Sequence, residues 1–185
     1  MSSIRLAELH AFVVHFSIAL LFMSVALDFA AIIFRRASLV EGATWALMLG
    51  APMTAFAMLS GWLSEHNTFI SAAGHDFLRL HKMTALLATI VFLALFLARF
   101  VWLLSRLVAW LLLAFPKSAR LANAQVWLSE KLPQAYVSRL PRGAIVSYLV
   151  LALVGVGLLL VTGYIGEALV YRFGIGVYSS GALLP

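Results

Sequence analysis

His10-Ala-Phe-Val-Val-His-Phe-Ser-Ile-Ala-Leu-Leu-Phe-Met-Ser-Val-Ala-Leu-Asp-Phe-Ala-Ala-Ile-Ile-Phe34 decides the fold of this chain. Asp28 is its one acidic residue, and the run stops at Arg35-Arg36. A hydrocarbon core of about 30 Å is crossed by roughly 20 helical residues at about 1.5 Å each, so this stretch suffices for one crossing. The rest of the chain has the same character. Of its 185 residues, 64% are hydrophobic and 11% charged, where soluble domains carry roughly 45–50% and about 25%. So short a chain has too little interior to hide that much apolar surface from water, and lipid removes the problem. The expected fold is an all-α membrane protein, an antiparallel bundle of four transmembrane helices in a single domain over 1–185.

The spans are expected at about 10–34, 43–63, 81–104 and 144–164. The start, Met1-Ser-Ser-Ile-Arg5, lacks a strongly basic segment, and no clear small-x-small cleavage site follows the first apolar run. The first span is therefore read as retained rather than as a signal peptide. Pro52 removes one backbone donor from the second span and is a candidate kink. Leu107–Phe115 is apolar but too short to cross alone. It reads as a projection of the third helix beyond the membrane or as an interfacial segment. Within the 105–142 loop, residues 123–132 read as a short amphipathic helix. Gly155 and Gly157 lie in the fourth span, where small residues let helices approach closely.

Cysteine is absent, which excludes disulfides, thiolate metal sites and covalent haem attachment. The net charge of +6 reports topology, and no arginine-rich arm or aromatic platform points to nucleic acid. Four spans place Arg35, Arg36, Arg99, Arg106, Lys117, Arg120, Lys131, Arg139 and Arg142 on one side, and Arg5, Arg79, Lys82 and Arg172 on the other. The basic side is cytoplasmic by the positive-inside rule. The protein is thus expected in a bacterial inner membrane, with both termini and the 165–185 tail outside.

On this topology all five histidines, His10, His15, His66, His75 and His81, fall at the outer half or in the outer loop, with Glu8, Glu65, Asp76 and Glu167. An ionisable group within the membrane is costly and marks a functional site by default. His15 lies one to two turns inside the first span, and His81 opens the third. The first and third helices run parallel on the diagonal of an up-down bundle, so imidazoles at similar depth can face one another through its centre. Two neutral imidazoles on opposite faces of a flat macrocycle are what bis-histidine ligation of haem b requires. The competing reading is that each histidine hydrogen-bonds a neighbouring carbonyl or hydroxyl. His10 precedes His15 by five residues, a rotation of roughly 140°, so the two serve different partners. His10 is an interfacial residue, a second ligand or a proton carrier. Glu167 either fixes the tautomer of a ligand histidine or pairs with Arg172. His75 and His81 are six apart, not at the i, i+4 spacing of a helical metal site, and the loop that carries His66 and His75 reads as solvated. Asp28 is expected to form a structural ion pair, with Arg99 a plausible partner and Arg35 about two turns further along.

Leu9-His-Ala-Phe-Val-Val-His-Phe-Ser-Ile-Ala-Leu20 resembles the opening motif, His-Pro-x-x-Val-His-Phe-Pro-Ile-Ala-Leu, of the bacterial membrane family called domain of unknown function 2231. Gly166-Glu-Ala-Leu-Val-Tyr-Arg-Phe-Gly-Ile-Gly-Val177 is similar to its closing motif, and Ser60-Gly61 and Leu80-His81 match its middle. Ala11 and Ser17 replace the two prolines of the opening, and Ile165 replaces the first glycine of the closing pair. The resemblance covers nearly the whole chain. It implies four membrane spans, makes His10, His15, His81 and Glu167 motif positions, and suggests a redox-associated, cytochrome b-like subunit.

The expectation is therefore a haem-b membrane subunit passing electrons near the outer face, more an electron-transfer or anchor subunit than a self-contained enzyme. His15 and His81 are its expected axial ligands, with His10 and Glu167 supporting. Its partners are the lipid bilayer and membrane or periplasmic redox subunits. The alternative is a cofactor-free structural or assembly subunit. Because the chain has no cysteine, its orientation is testable with single-cysteine variants. In right-side-out spheroplasts an impermeant maleimide should label Asn67→Cys and spare Ser118→Cys. The opposite pattern would invert the topology.

Overall fold

The computed structural model describes residues 2–65, 72–114 and 142–174. They form four long helices: α1 (Ser2–Phe34), α2 (Ala37–Glu65), α3 (Ala72–Ala114) and α4 (Arg142–Phe173). Each contains a segment long and apolar enough to cross a membrane: Leu9–Phe34, Ala37–Glu65, Gly74–Val101 and Gly143–Phe173. The four-helix reading holds, and the helices exceed the sequence-derived spans. α2 starts at Ala37 rather than near 43, α3 starts before His81, and α4 runs past Tyr164. The cause is general: hydropathy locates the segment that lipid surrounds, whereas helical hydrogen bonding continues into the polar boundary. α3 is 43 residues long, about 65 Å at the helical rise. It carries the Leu107–Ala114 stretch as continuous helix rather than as a separate element. The amphipathic segment expected at 123–132 lies outside the described residues.

The turn between α1 and α2 is two residues long. Arg35 adopts φ 53°, a left-handed conformation uncommon for a residue with a side chain. The Leu39 amide donates to the Arg36 carbonyl at 3.2 Å. At the far end Gly174, at φ 62°, closes α4 by donating its amide to the Val170 carbonyl, the usual glycine stop. Pro52 does not break α2, which continues through it.

α1 packs most extensively on α2 and α3 on α4; α2 touches α3, and α4 touches α1. The parallel helices α1 and α3 thus lie on a diagonal. Small residues set the hairpin spacing. A Cβ added at Gly50 would lie 3.0 Å from atoms of Leu20 and Leu21, and one at Gly155 would lie 2.9 Å from the Phe92 ring. Gly157 differs from its expectation, because a Cβ there would meet nothing within 4 Å. The core comprises Leu21, Leu47, Ala51, Ala88, Phe92, Ala152 and Leu159. Outward faces carry Phe56, Ile90, Leu97, Val154 and Leu160, the pattern that lipid accommodates and water does not.

One polar cluster joins all four helices. Asp28 of α1 accepts from Arg99 Nη2 of α3. Tyr148 of α4 donates to the other Asp28 oxygen at 3.2 Å, and Arg99 Nη1 donates to Thr44 of α2 at 3.3 Å. The guanidinium also sits 5.0 Å from the centroid of the Tyr148 ring. Both charged side chains are almost wholly buried, Arg99 1% and Asp28 3% exposed. The expected ion pair is present. Removing one partner of such a pair strands the other charge and costs about 3–5 kcal/mol. Asp28→Leu or Arg99→Leu alone should therefore lower the unfolding midpoint in mild detergent sharply. The double leucine variant should recover much of the loss, measured by circular dichroism against denaturant.

Candidate functional site

The register of α1 and α3 can be read from this cluster. Asp28 and Arg99 are 71 positions apart, and positions 10 and 81 also differ by 71. Each histidine precedes its charged residue by 18 residues, about five full turns or about 27 Å of helix. Eighteen residues therefore return a side chain to the same face. The ion pair thus brings His10 and His81 to one height and turns both inward.

The two side chains are held alike. His10 Nδ1 lies 3.0 Å from the Ala57 carbonyl and 3.0 Å from Ser60 Oγ. His81 Nδ1 lies 3.0 Å from the Thr162 carbonyl. Ser60 spends its own proton on the Ala57 carbonyl at 2.9 Å. Carbonyl oxygens only accept, so Nδ1 is the protonated nitrogen in both rings. Each ring also packs on a glycine four residues after its carbonyl. An added Cβ at Gly61 would lie 2.8 Å from His10 Cε1, and one at Gly166 would lie 3.1 Å from His81 Cε1. The α1–α2 and α3–α4 hairpins therefore build the same half-site: histidine, carbonyl acceptor, glycine. Among the described residues no hydrogen bond occupies either Nε2, so both lone pairs remain for a ligand.

His15 is placed elsewhere. It is exposed on α1, and its Nδ1 donates to the Ala11 carbonyl at 2.6 Å. The structure pairs His81 with His10 and not with His15, because the rotation of roughly 140° between positions 10 and 15 leaves only one of them facing in. Glu167 is also exposed and does not contact His81, whose second nitrogen is taken by Thr162. His75 is exposed on α3, and His66 lies outside the described residues. Next to His81 in sequence, Lys82 reaches Glu65 at 2.9 Å and ties the third turn of α3 to the end of α2.

Sequence reasoning missed Ala57 and Thr162 as the holders of the site, and had Ser60-Gly61 only as a motif match without a role. Backbone carbonyls carry no side-chain signature. The helix periodicity did carry a signal: His10, Ser17, Ser24, Asp28 and Ala31 fall on one stripe of α1, and the latter four are buried.

The sequence matches, over residues 7–179, the family described as "Predicted membrane protein (DUF2231)". The chain belongs to that family. No curated protein and no solved structure matches it. The family description states a membrane location and no activity, so the chemistry of this member rests on its side chains. His10 and His81 stand at one height on α1 and α3, and no group of three or more metal-ligating side chains occurs among the described residues. Two protein ligands suit a metal that brings its own equatorial ligands, whereas a tetrahedral zinc site asks for three or four.

The glycines give a graded test. Gly61→Ala should displace the His10 ring from Ala57, and Gly166→Ala should shift His81 less, since the added carbon meets its ring at a longer distance. Side-chain 15N NMR of the two histidines reads both displacements.

Proposed function

We propose that this chain is a b-type haem subunit of a bacterial inner membrane, transferring electrons near the outer face to partner redox subunits, with His10 and His81 as the residues that would hold the haem iron. The observation that carries the reading is the matched presentation of two imidazoles from diagonal helices, each with Nδ1 fixed on a carbonyl and Nε2 left open. This is the tautomer a metal-binding histidine adopts. Donation of its other N–H to a carbonyl fixes the ring and raises the basicity of the ligating nitrogen. When bound, haem would supply a one-electron iron couple.

The chain's own residues account for the rest. Ala57 and Thr162 orient the rings, and Ser60 adds a second acceptor on His10 alone. Gly61 and Gly166 let each ring lie against the neighbouring helix. The Asp28–Arg99 pair keeps both ligands at one height. The orientation follows the excess of lysine and arginine toward the 105–142 loop.

Purified protein expressed with ample haem should show a Soret band and split visible bands on reduction. His10→Ala and His81→Ala should each abolish that spectrum, and His15→Ala should retain it. Stoichiometric absence of haem from the wild type would refute the proposal and leave the cofactor-free structural subunit as the reading.

A further inference from the structure

The two hairpins repeat each other residue for residue. Positions 71 apart correspond on α1 and α3, and positions 105 apart correspond on α2 and α4. His10 and His81 differ by 71, and the carbonyls that hold them, on Ala57 and Thr162, differ by 105. Gly61 and Gly166, on which the two rings pack, also differ by 105. The same offsets hold eleven residues deeper in the bundle. There Gly50 packs on Leu20 and Leu21, and Gly155 packs on Val91 and Phe92. Backbone and packing therefore make the two half-sites equal, and a difference between them has to come from side chains at corresponding positions.

One such difference touches a ring. Ser60 Oγ lies 3.0 Å from His10 Nδ1. The corresponding residue of α4 is Ile165, a buried hydrocarbon side chain. Ser60 is buried as well, and its hydroxyl proton goes to the Ala57 carbonyl at 2.9 Å. An Oγ lone pair is then left for the His10 Nδ1 proton, and a hydroxyl that donates to one group is a better acceptor for another. The His10 Nδ1 proton thus meets two oxygens. Among the described residues the His81 Nδ1 proton meets the Thr162 carbonyl alone. Each acceptor on Nδ1–H pushes electron density through the ring toward Nε2.

We infer that Ser60 is a positioning residue that makes the two imidazoles unequal, with His10 the stronger electron donor at Nε2 and His81 the weaker. The inequality belongs to the rings and holds with nothing bound to them. Its redox consequence rests on the haem reading proposed above. A more electron-rich ligand favours ferric over ferrous iron, so Ser60 would hold the potential of the bound haem down.

The test has two arms. The first uses the full chain without haem, 15N-histidine-labelled and in nanodiscs. The wild-type His10 Nδ1 proton should resonate downfield of the His81 Nδ1 proton. Ser60→Ala should move it upfield toward the His81 position, and Ser60→Thr, which keeps the hydroxyl, should hold it near the wild-type value. An unmoved His81 resonance certifies the fold of each variant. The second arm reads the midpoint potential of protein loaded with haemin. Ser60→Ala should shift the equilibrium about tenfold toward the ferrous form, a rise of about 59 mV for one electron, with Ser60→Thr close to wild type. Coincident Nδ1 protons in the wild type, a His10 proton that Ser60→Ala leaves in place, or an unchanged potential in haem-loaded Ser60→Ala would each overturn the inference. Failure of the wild type to take up haemin, with the first arm as expected, would refute the haem reading and leave the inequality of the rings standing.

Discussion

The Asp28–Arg99 pair ties α1 to α3 across the diagonal of the bundle, with Tyr148 and Thr44 drawing in the other two helices. Apolar side chains in lipid give little reason for one helix to prefer a given height against another, since lipid tails are as apolar as leucine. A buried charge pair does give one. Sliding α1 by a single turn would strand both charges in a medium where each unpaired ion costs several kcal/mol. The pair therefore acts as a register pin, a role for which buried polar groups are well suited.

The consequence appears about 27 Å away along the helix axes. Because 18 residues span about five turns, the pin that aligns Asp28 with Arg99 also aligns His10 with His81. The two ends of the bundle divide the work. The end near Asp28 is filled by an ion pair, a phenol and a hydroxyl, with Arg99 Nε left without a hydrogen-bond partner among the described residues. The end near the histidines is left with two open imidazole nitrogens. Each hairpin then finishes its half of the site locally, by presenting a carbonyl and, four residues later, a glycine.

The α1 helix also separates two chemistries by rotation. His10 turns into the bundle and donates to α2, while His15, five residues on, turns outward and donates to its own helix. The two residues read as near equivalents in the sequence, with His15 the more buried by depth. Depth along the helix and burial within the bundle are different coordinates, and composition reports only the first.

The sequence by itself determined the solvent, the helix count and the ion pair. Each rests on quantities that add along the chain: apolar content, run length and the cost of an isolated charge in lipid. It also placed His10 and His81 among the site residues through helix position and motif resemblance. What only the tertiary structure decided was which histidine of α1 turns into the bundle at the height of His81, and what holds the two rings. That choice depends on rotation about the α1 axis. Rotation is set by packing against α2, where Gly50 meets Leu20 and Leu21 and Gly61 meets the His10 ring. The holders are mostly backbone carbonyls, which every residue owns, and only the fold selects Ala57 and Thr162 from among them.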